Sequence, residues 1–311
     1  MENDAISALI ARIDGRRMSD NLFHLAKHPL PFRKLNYTVP GHEKNTLYEA
    51  DDFITAQLES CGYEVEAEPV EVQAYRRDIS KPLSSQYARP EPDDTRYTAY
   101  NLYAKKTGTS HPDETIVVVS HKDSQSWVDS PGAYDNAVGT AGNMEMARLL
   151  VECETNRSIW FLYCNEEHSP WTSVTAANGA KERGENIIAV FNIDSLGGKS
   201  DEMAAAGRLT NVTLYTTPEG KTLAELQSEV ITTYDIPLEQ KTVERPAPGD
   251  DDGSFVKAGF PAAIMNVGSY PYAHRHYHAE TDVPEGVDMQ NVMLATQASL
   301  AAMLTVDREG L

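Results

Sequence analysis

Histidines and carboxylates follow several short apolar runs of this sequence, each near the point where the run ends. They are His121 and Asp123 after TIVVVS, Glu166 and Glu167 after SIWFLYCN, Asp194 after IIAVFNI, His278 in the loop after PAAIMNV, and Asp135 in the turn SPGAYDN. Imidazole nitrogens and carboxylate oxygens are ligands that zinc accepts. A single carboxylate after a strand is usually a helix cap or a solvated residue, but this many together predict an open catalytic metal site.

The adjacent pair Glu166 and Glu167 indicates a division of tasks. Neighbouring side chains at the end of a strand point in different directions. One glutamate can therefore bind metal while the other faces water that the metal activates. The three cysteines, Cys61, Cys153 and Cys164, are too few and too dispersed for a disulfide framework or a closed thiolate site, and we expect buried thiols.

The runs that carry these residues are short, apolar and rich in β-branched side chains, and helical segments separate them. Such runs are typical of buried central strands in a sheet that helices cover. The carboxyl ends of parallel strands meet at one edge, where ligands gather in open α/β sheets. We therefore predict an α/β fold with three layers, α/β/α, around a mixed and mostly parallel central sheet.

We expect residues 1–311 to form a single catalytic domain, since a chain of this length can bury one large core. Residues 1–45 are predicted to form an N-terminal helical packing segment, and residues 289–306 a C-terminal packing helix. A polar, proline-rich stretch at about residues 81–94 is predicted to be a surface loop.

The formal net charge of -20 is spread along the chain, which argues against binding to nucleic acid or to an anionic membrane. No apolar stretch is long enough to span a bilayer, and the N-terminus lacks the basic and apolar regions of a signal peptide. We therefore expect a cytoplasmic protein, unless a leader has been removed from the sequence. The oligomeric state cannot be predicted from these features.

Five motifs in order resemble the co-catalytic di-zinc aminopeptidase family, which includes bacterial leucyl aminopeptidases, glutamate carboxypeptidases and the divergent glutaminyl cyclases. HKDS is similar to the family's His-x-Asp-Ser, SPGAYDNAVGTAG to its Pro-Gly-Ala-x-Asp segment, NEE to its Glu-Glu pair, FNIDSLG to its Asn-x-Asp element, and YHAETD to its Tyr-His-x-x-x-Asp. The resemblance covers roughly residues 101–282. It implies the zinc-exopeptidase fold, which is phosphorylase/hydrolase-like.

The resemblance also implies roles for the candidate residues. It implies ligands for two zinc ions: Asp135 as the bridge, His121 and Asp194 at one ion, and Glu167 and His278 at the other. Glu166 would be the general base, Asp123 would orient a histidine ligand, and the Tyr277 hydroxyl would steady a developing oxyanion. Tyr277 is equally explained as an amphipathic ring in a tyrosine-rich loop. Cobalt or manganese are possible substitutes for zinc, and the peptide bond Asp135-Asn136 is expected to be cis.

Two segments depart from the family pattern, and both concern the substrate pocket. PGDDDGSFVKAGFPA resembles the family's Ser-Asp-His-x-x-Phe/Trp segment, with Asp251 at the aspartate and Asp252 where histidine is common. In HSPWTS, which stands near the family's Gly-Ser, Trp171 is predicted to line the pocket. Arg275 is a cation beside the predicted site, where it could receive a substrate carboxylate or form an ordinary surface ion pair.

The leading hypothesis is a metal-dependent aminopeptidase that hydrolyses the N-terminal peptide bond of small peptides. The enzymatic alternative is a carboxypeptidase or an amide hydrolase on a small acidic substrate, for which Arg275 is the only sign. Glutaminyl cyclase activity is less favoured, because those relatives work with a single zinc and the full ligand set supports two. The rival from another class is a non-catalytic binding module on the same fold, which the intact ligands and Glu166 disfavour.

Overall fold

The computed structural model describes residues 2–82 and 86–311. Its strands are β1 (Val65–Ala74), β2 (Arg76–Arg77), β3 (Tyr87–Ala88), β4 (Arg96–Lys106), β5 (His111–His121), β6 (Arg157–Cys164), β7 (His168–Ser169), β8 (Asn186–Ile193), β9 (Thr210–Tyr215), β10 (Glu239–Glu244) and β11 (Ala263–Val267). Nine of them form one sheet, whereas β2 and β3 pair as a separate antiparallel ribbon.

The strand order in the large sheet is β10-β9-β11-β8-β5-β6-β4-β1-β7. Its central strands β11, β8, β5 and β6 are parallel, and antiparallel neighbours flank them on both sides. In the register of the central strands, His121 pairs with Cys164 and Asn266 pairs with Ile193. The carboxyl ends of these strands therefore reach the same edge of the sheet.

Helices cover both faces of this sheet. They are α1 (Glu2–Ile10), α2 (Gly15–Ala26), α3 (Thr46–Cys61), α4 (Val138–Leu150), α5 (Thr172–Glu182), α6 (Asp201–Ala205), α7 (Pro218–Thr233), α8 (Asp250–Ala258) and α9 (Met289–Glu309). Along β5, Ile116 and Val118 pack into the core under α4 and α9, whereas Val117 and Val119 pack into the core under α5 and α8. This alternation between two cores confirms the predicted three-layer α/β/α fold with a mixed sheet.

Helices α1 and α2 lie within the predicted N-terminal packing segment, and their apolar residues join the core that contains α4 and α9. The stretch predicted as a surface loop is not irregular throughout, because strand β3 lies within it. Residues 83–85 of that stretch lie outside the described residues. In the part of the chain that the structure describes, no helix is long and apolar enough to cross a membrane.

Candidate metal centre

The five predicted ligands come together at the carboxyl edge of the central strands, and all of them are buried. His121 is the last residue of β5, and Asp194 directly follows β8. Glu167 follows the end of β6, and Asp135 lies in a turn, Ala133–Ala137, that precedes α4, where its own backbone is not helical. His278 comes from the loop after β11. The parallel register of the strands thus places residues distant in sequence next to one another.

Asp135 lies between two groups of ligand atoms. Its Oδ1 is 3.1 Å from His121 Nε2, and its Oδ2 is 2.9 Å from His278 Nε2. Asp194 Oδ2 lies 3.6 Å from the first of these nitrogens, and Glu167 Oε1 lies 3.3 Å from the second. Each group of three offers ligand atoms within 4.8 Å of one another. One carboxylate is therefore shared by the two groups of candidate ligand atoms.

The chemistry of these groups fits zinc. Asp123 Oδ1 lies 3.2 Å from His121 Nδ1, so a hydrogen on Nδ1 leaves the Nε2 lone pair facing carboxylate oxygens. Lone pairs that face each other in a buried site repel unless a cation lies between them. Burial alone would lower the pKa of His121, but the surrounding carboxylates raise it well above its usual value. The site therefore favours positive charge, which a divalent ion would provide.

Glu166 is half-buried beside this cluster. Its backbone N–H donates to Asp123 Oδ1 at 2.9 Å, and its Oε2 has no hydrogen-bond partner among the described residues. Burial, followed by the negative charges of Asp251 and Asp250, raises the pKa of Glu166 well above its usual value. A carboxyl group with a raised pKa and a free oxygen is suited to taking up and returning a proton.

Asp123 connects the ends of β5 and β6. Its Oδ2 accepts the backbone N–H of Glu167 at 2.9 Å and faces Nδ1 of His168 at 2.7 Å. Although burial acts to raise it, hydrogen bonds from His121 and His168 lower the pKa of Asp123 below its usual range. Asp123 therefore remains a carboxylate that holds one candidate ligand by its ring and another by its backbone. His168 was not among the predicted site residues.

The turn that carries Asp135 is held from two sides. Asp282 accepts the backbone N–H of Tyr134 at 3.0 Å and that of Asp135 at 3.2 Å. A Cβ on Gly139 would lie 2.2 Å from the Ile193 carbonyl oxygen, so glycine allows α4 to approach β8 this closely. The peptide bond Asp135-Asn136 is cis, as the resemblance implied.

Aromatic rings stand around the His278 side of the cluster. Tyr277 stacks on His278 with ring centroids 3.7 Å apart, and the oxyanion role of its hydroxyl stays a prediction. Trp171, predicted to line the pocket, donates from Nε1 to the Tyr75 hydroxyl at 3.0 Å. Tyr87 was missed, because it lies in the stretch predicted as a loop, yet its hydroxyl donates to Glu167 Oε2 at 2.5 Å.

Asp251 and Arg275, both predicted for the substrate pocket, are held by contacts outside the group of candidate ligands. Asp251 is fully buried and accepts a hydrogen bond from the Cys164 thiol at 3.4 Å, and burial raises its pKa to about 6. From the interior it influences Glu166 by its charge, and its place in the substrate pocket stays a prediction. Arg275 pairs with Asp201 at 2.9 Å on the surface, where both side chains are exposed. The structure does not bring Arg275 into the ligand cluster.

Comparisons with known proteins agree with this geometry. Residues 101–303, more than half of the chain, match the sequence model described as Peptidase family M28. The chain belongs to that family.

Its curated relatives are distant in sequence. A probable aminopeptidase of Saccharomyces cerevisiae is 24% identical over 225 residues, which are 68% of this chain and 58% of that protein. A probable zinc metalloprotease of Pyrenophora teres f. teres is 25% identical, over 81% of this chain and 60% of its own length. Leucine aminopeptidase 1 of Blastomyces gilchristii is 26% identical, over 72% and 61%. The chain thus spans only 58–61% of the length of these relatives.

Solved structures support the fold over nearly the whole chain. An aminopeptidase from Aneurinibacillus sp. strain AM-1 superposes with a TM-score of 0.73 at 14% identity, and covers 96% of this chain and 95% of its own. A glutaminyl cyclase from Bacteroides thetaiotaomicron gives 0.69 at 15% identity, over 94% and 98%. Since both activities occur among proteins of this shape, the fold alone does not separate them.

Proposed function

We propose that this protein is a zinc-dependent aminopeptidase with two metal ions in one centre. The observation that carries the proposal is the position of Asp135, whose two oxygens face His121 Nε2 and His278 Nε2 separately. Asp194 completes the first group and Glu167 the second. A carboxylate that offers one oxygen to each of two nitrogen and oxygen donor groups is suited to bridging a pair of zinc ions. Membership of peptidase family M28 and the zinc metalloprotease among the relatives support the choice of metal.

Bound zinc would supply Lewis acidity, which polarises the scissile carbonyl group and makes a nearby water more acidic. The chain itself moves the proton. Glu166 Oε2, which has no partner among the described residues, takes the proton from the attacking water and returns it to the leaving amine. Asp123 holds the backbone N–H of Glu166 and so keeps this carboxyl group beside the cluster.

The charge around the site favours an amine over a carboxylate as the recognised end of the substrate. Asp250 lies close enough to Glu166 and Asp194 to raise the pKa of both. Arg245, a cation beside Asp250, is already paired with Asp250 at 2.6 Å and with Asp252. A surplus of carboxylates attracts the ammonium group of a peptide N-terminus. The aminopeptidases among the relatives support the same choice.

We further infer that residues 1–311 act as one catalytic domain, because the apolar residues of α1 and α2 belong to the same core as those of α4 and α9. The substrates proposed for it are small peptides, without nucleic acid or membrane partners.

The test combines metal analysis with an assay of aminoacyl-arylamides, with and without a chelator. The proposal requires chelator-sensitive hydrolysis by protein that binds about two zinc ions per chain. Two zinc ions without arylamide turnover would favour a carboxypeptidase or amide hydrolase instead, and cyclisation of an N-terminal glutamine would favour a glutaminyl cyclase. Protein that binds no metal after reconstitution would contradict a catalytic role and favour a binding module.

A further inference from the structure

Tyr87 approaches the candidate metal centre from a part of the chain that carries none of its proposed ligands. It lies on β3, in the ribbon with β2, and its side chain is half-buried. Its hydroxyl donates to Glu167 Oε2 at 2.5 Å and lies 3.3 Å from His278 Nε2. The hydroxyl therefore contacts Glu167 and His278, which belong to only one of the two groups of candidate ligands.

The hydrogen bonds around this hydroxyl give it a direction. Gln125 Nε2 donates to the Tyr87 oxygen. A phenol has a single hydrogen to donate, and with the amide of Gln125 on the acceptor side that hydrogen is directed to Glu167. Oε1 of the same glutamate lies 3.3 Å from His278 Nε2. The two oxygens of Glu167 thus have different partners, one on the metal side and one on the tyrosine side.

The ring of Tyr87 is fixed by its neighbours. Trp127 packs edge-on against it with ring centroids 3.7 Å apart, and Tyr75 does so at 4.7 Å. Beside it in the ribbon, Arg77 Nε donates to Gln86 Oε1 at 2.7 Å. A ring held by two aromatic partners loses little further entropy when its hydroxyl binds Glu167. The contact is therefore suited to orienting a ligand.

We propose that Tyr87 is a positioning residue for the second metal ion, the one assigned to Asp135, Glu167 and His278. It holds Glu167 Oε2 by a hydrogen bond, which would leave Oε1, the oxygen that lies 3.3 Å from His278 Nε2, to hold the ion. This inference rests on the proposed function, because it requires two metal ions. Hydrogen-bond partners of metal ligands typically contribute about 10- to 100-fold to metal affinity or activity.

The experiment is a zinc titration of metal-free protein in competition with a chromophoric chelator, which reports both affinities without an assay of activity. In Tyr87→Phe the ring remains and only the hydroxyl is lost. We expect the first zinc to bind as in the wild type and the second to bind about 10-fold more weakly or worse. Gln125→Ala removes the orienting amide and should weaken the second site by a smaller factor.

The matched control is Tyr75→Phe. The Tyr75 ring packs against Tyr87, but its hydroxyl accepts a hydrogen bond from Trp171 and makes no described hydrogen bond to a proposed ligand. This variant should leave both zinc affinities unchanged, and unfolding curves should show all variants folded. Equal affinities in Tyr87→Phe and wild type, with two zinc ions bound, would overturn the inference and leave the proposed function intact. A phenolate-to-copper absorption band in Cu²⁺-loaded wild type that is lost in Tyr87→Phe would also overturn it, since Tyr87 would then be a ligand. Wild type that binds fewer than two ions would overturn both.

Discussion

The strand ends that carry the proposed ligands and the irregular segments around them are held in place by different means. His121 and Asp194 stand at the ends of β5 and β8, whose backbone register fixes their positions. Tyr87, Arg245 and Arg275 lie outside the central strands, and individual side-chain contacts decide where each of them points. The strand ends are therefore determined by the fold as a whole, and the surrounding segments by a few contacts that one substitution can remove.

The largest effect on activity is expected at the strand ends. Glu166→Gln keeps the shape of the side chain and removes its basicity, so turnover should fall by about 10³- to 10⁴-fold. Zinc content should stay that of the wild type, because Glu166 is not a proposed ligand. Steady-state rates and metal analysis on the same preparation measure both quantities. The exposed Glu219 provides the control, since Glu219→Gln should leave turnover and zinc content unchanged. A fully active Glu166→Gln would show that Glu166 is not the general base.

Substitution of Arg245 tests whether a side-chain contact in a segment outside the central strands contributes to the free energy of unfolding. Arg245 is buried and pairs with Asp250 at 2.6 Å and with Asp252. Burial raises the pKa of Asp252 to about 7. Arg245→Met would leave the buried Asp252 and the half-buried Asp250 without their cation, which should lower the free energy of unfolding by about 3 kcal/mol or more.

Denaturant unfolding of this variant should be compared with that of Arg208→Met. Arg208 pairs with Glu239 on the surface, where both side chains are about half exposed, so its loss should cost about 1 kcal/mol or less. If both substitutions lowered the free energy of unfolding equally, the buried ion pairs of Arg245 would contribute no more to stability than a surface ion pair.

Asp123→Asn, a substitution in the strand-end region, should have an intermediate effect, and the property it changes is zinc affinity. Whichever way the amide is turned, its NH₂ group would face the backbone N–H of either Glu166 or Glu167, and in the first case it would also face Nδ1 of His121. Zinc affinity should fall by about 10- to 100-fold, as measured by chelator competition. Asp129→Asn, at a largely exposed carboxylate, is the control. Unchanged affinity in Asp123→Asn would mean that the strand ends hold the ligands without this carboxylate.

The smallest effect is expected for Arg275. Because its guanidinium pairs with the exposed Asp201, Arg275→Ala should leave kcat/KM for aminoacyl-arylamides within about twofold of the wild type. The same variant should be assayed with a substrate that carries a free C-terminal carboxylate. A selective loss with that substrate would revive the carboxypeptidase alternative and would show that the loop moves when substrate binds.

The strand-end pattern predicted that histidines and carboxylates gather at one edge, because most of them follow strands that are recognisable by their apolar, β-branched composition. The resemblance to a family, and not this pattern, supplied the grouping of the ligands around two ions. The same reasoning could not find Tyr87, since nothing local in a polar, proline-rich stretch indicates that a ring packs on Trp127. Asp251 was predicted at the pocket from its place in a motif, but α8 turns it into the interior. His168 stands next to the Glu166 and Glu167 pair, and its contact with Asp123 depends on the turn between β6 and β7. The sequence pattern alone therefore does not determine where a side chain points when its direction depends on a turn or on contacts with residues distant in sequence.

If Asp135 joins two metal positions, as we propose, a zinc titration of wild type and Asp135→Asn will show it. An amide provides one oxygen and one NH₂ group in place of two carboxylate oxygens, so it cannot serve both positions. We expect two zinc ions per chain in the wild type and at most one in folded Asp135→Asn. Two ions of unchanged affinity in the variant, or a single ion in the wild type at saturation, would contradict this proposal.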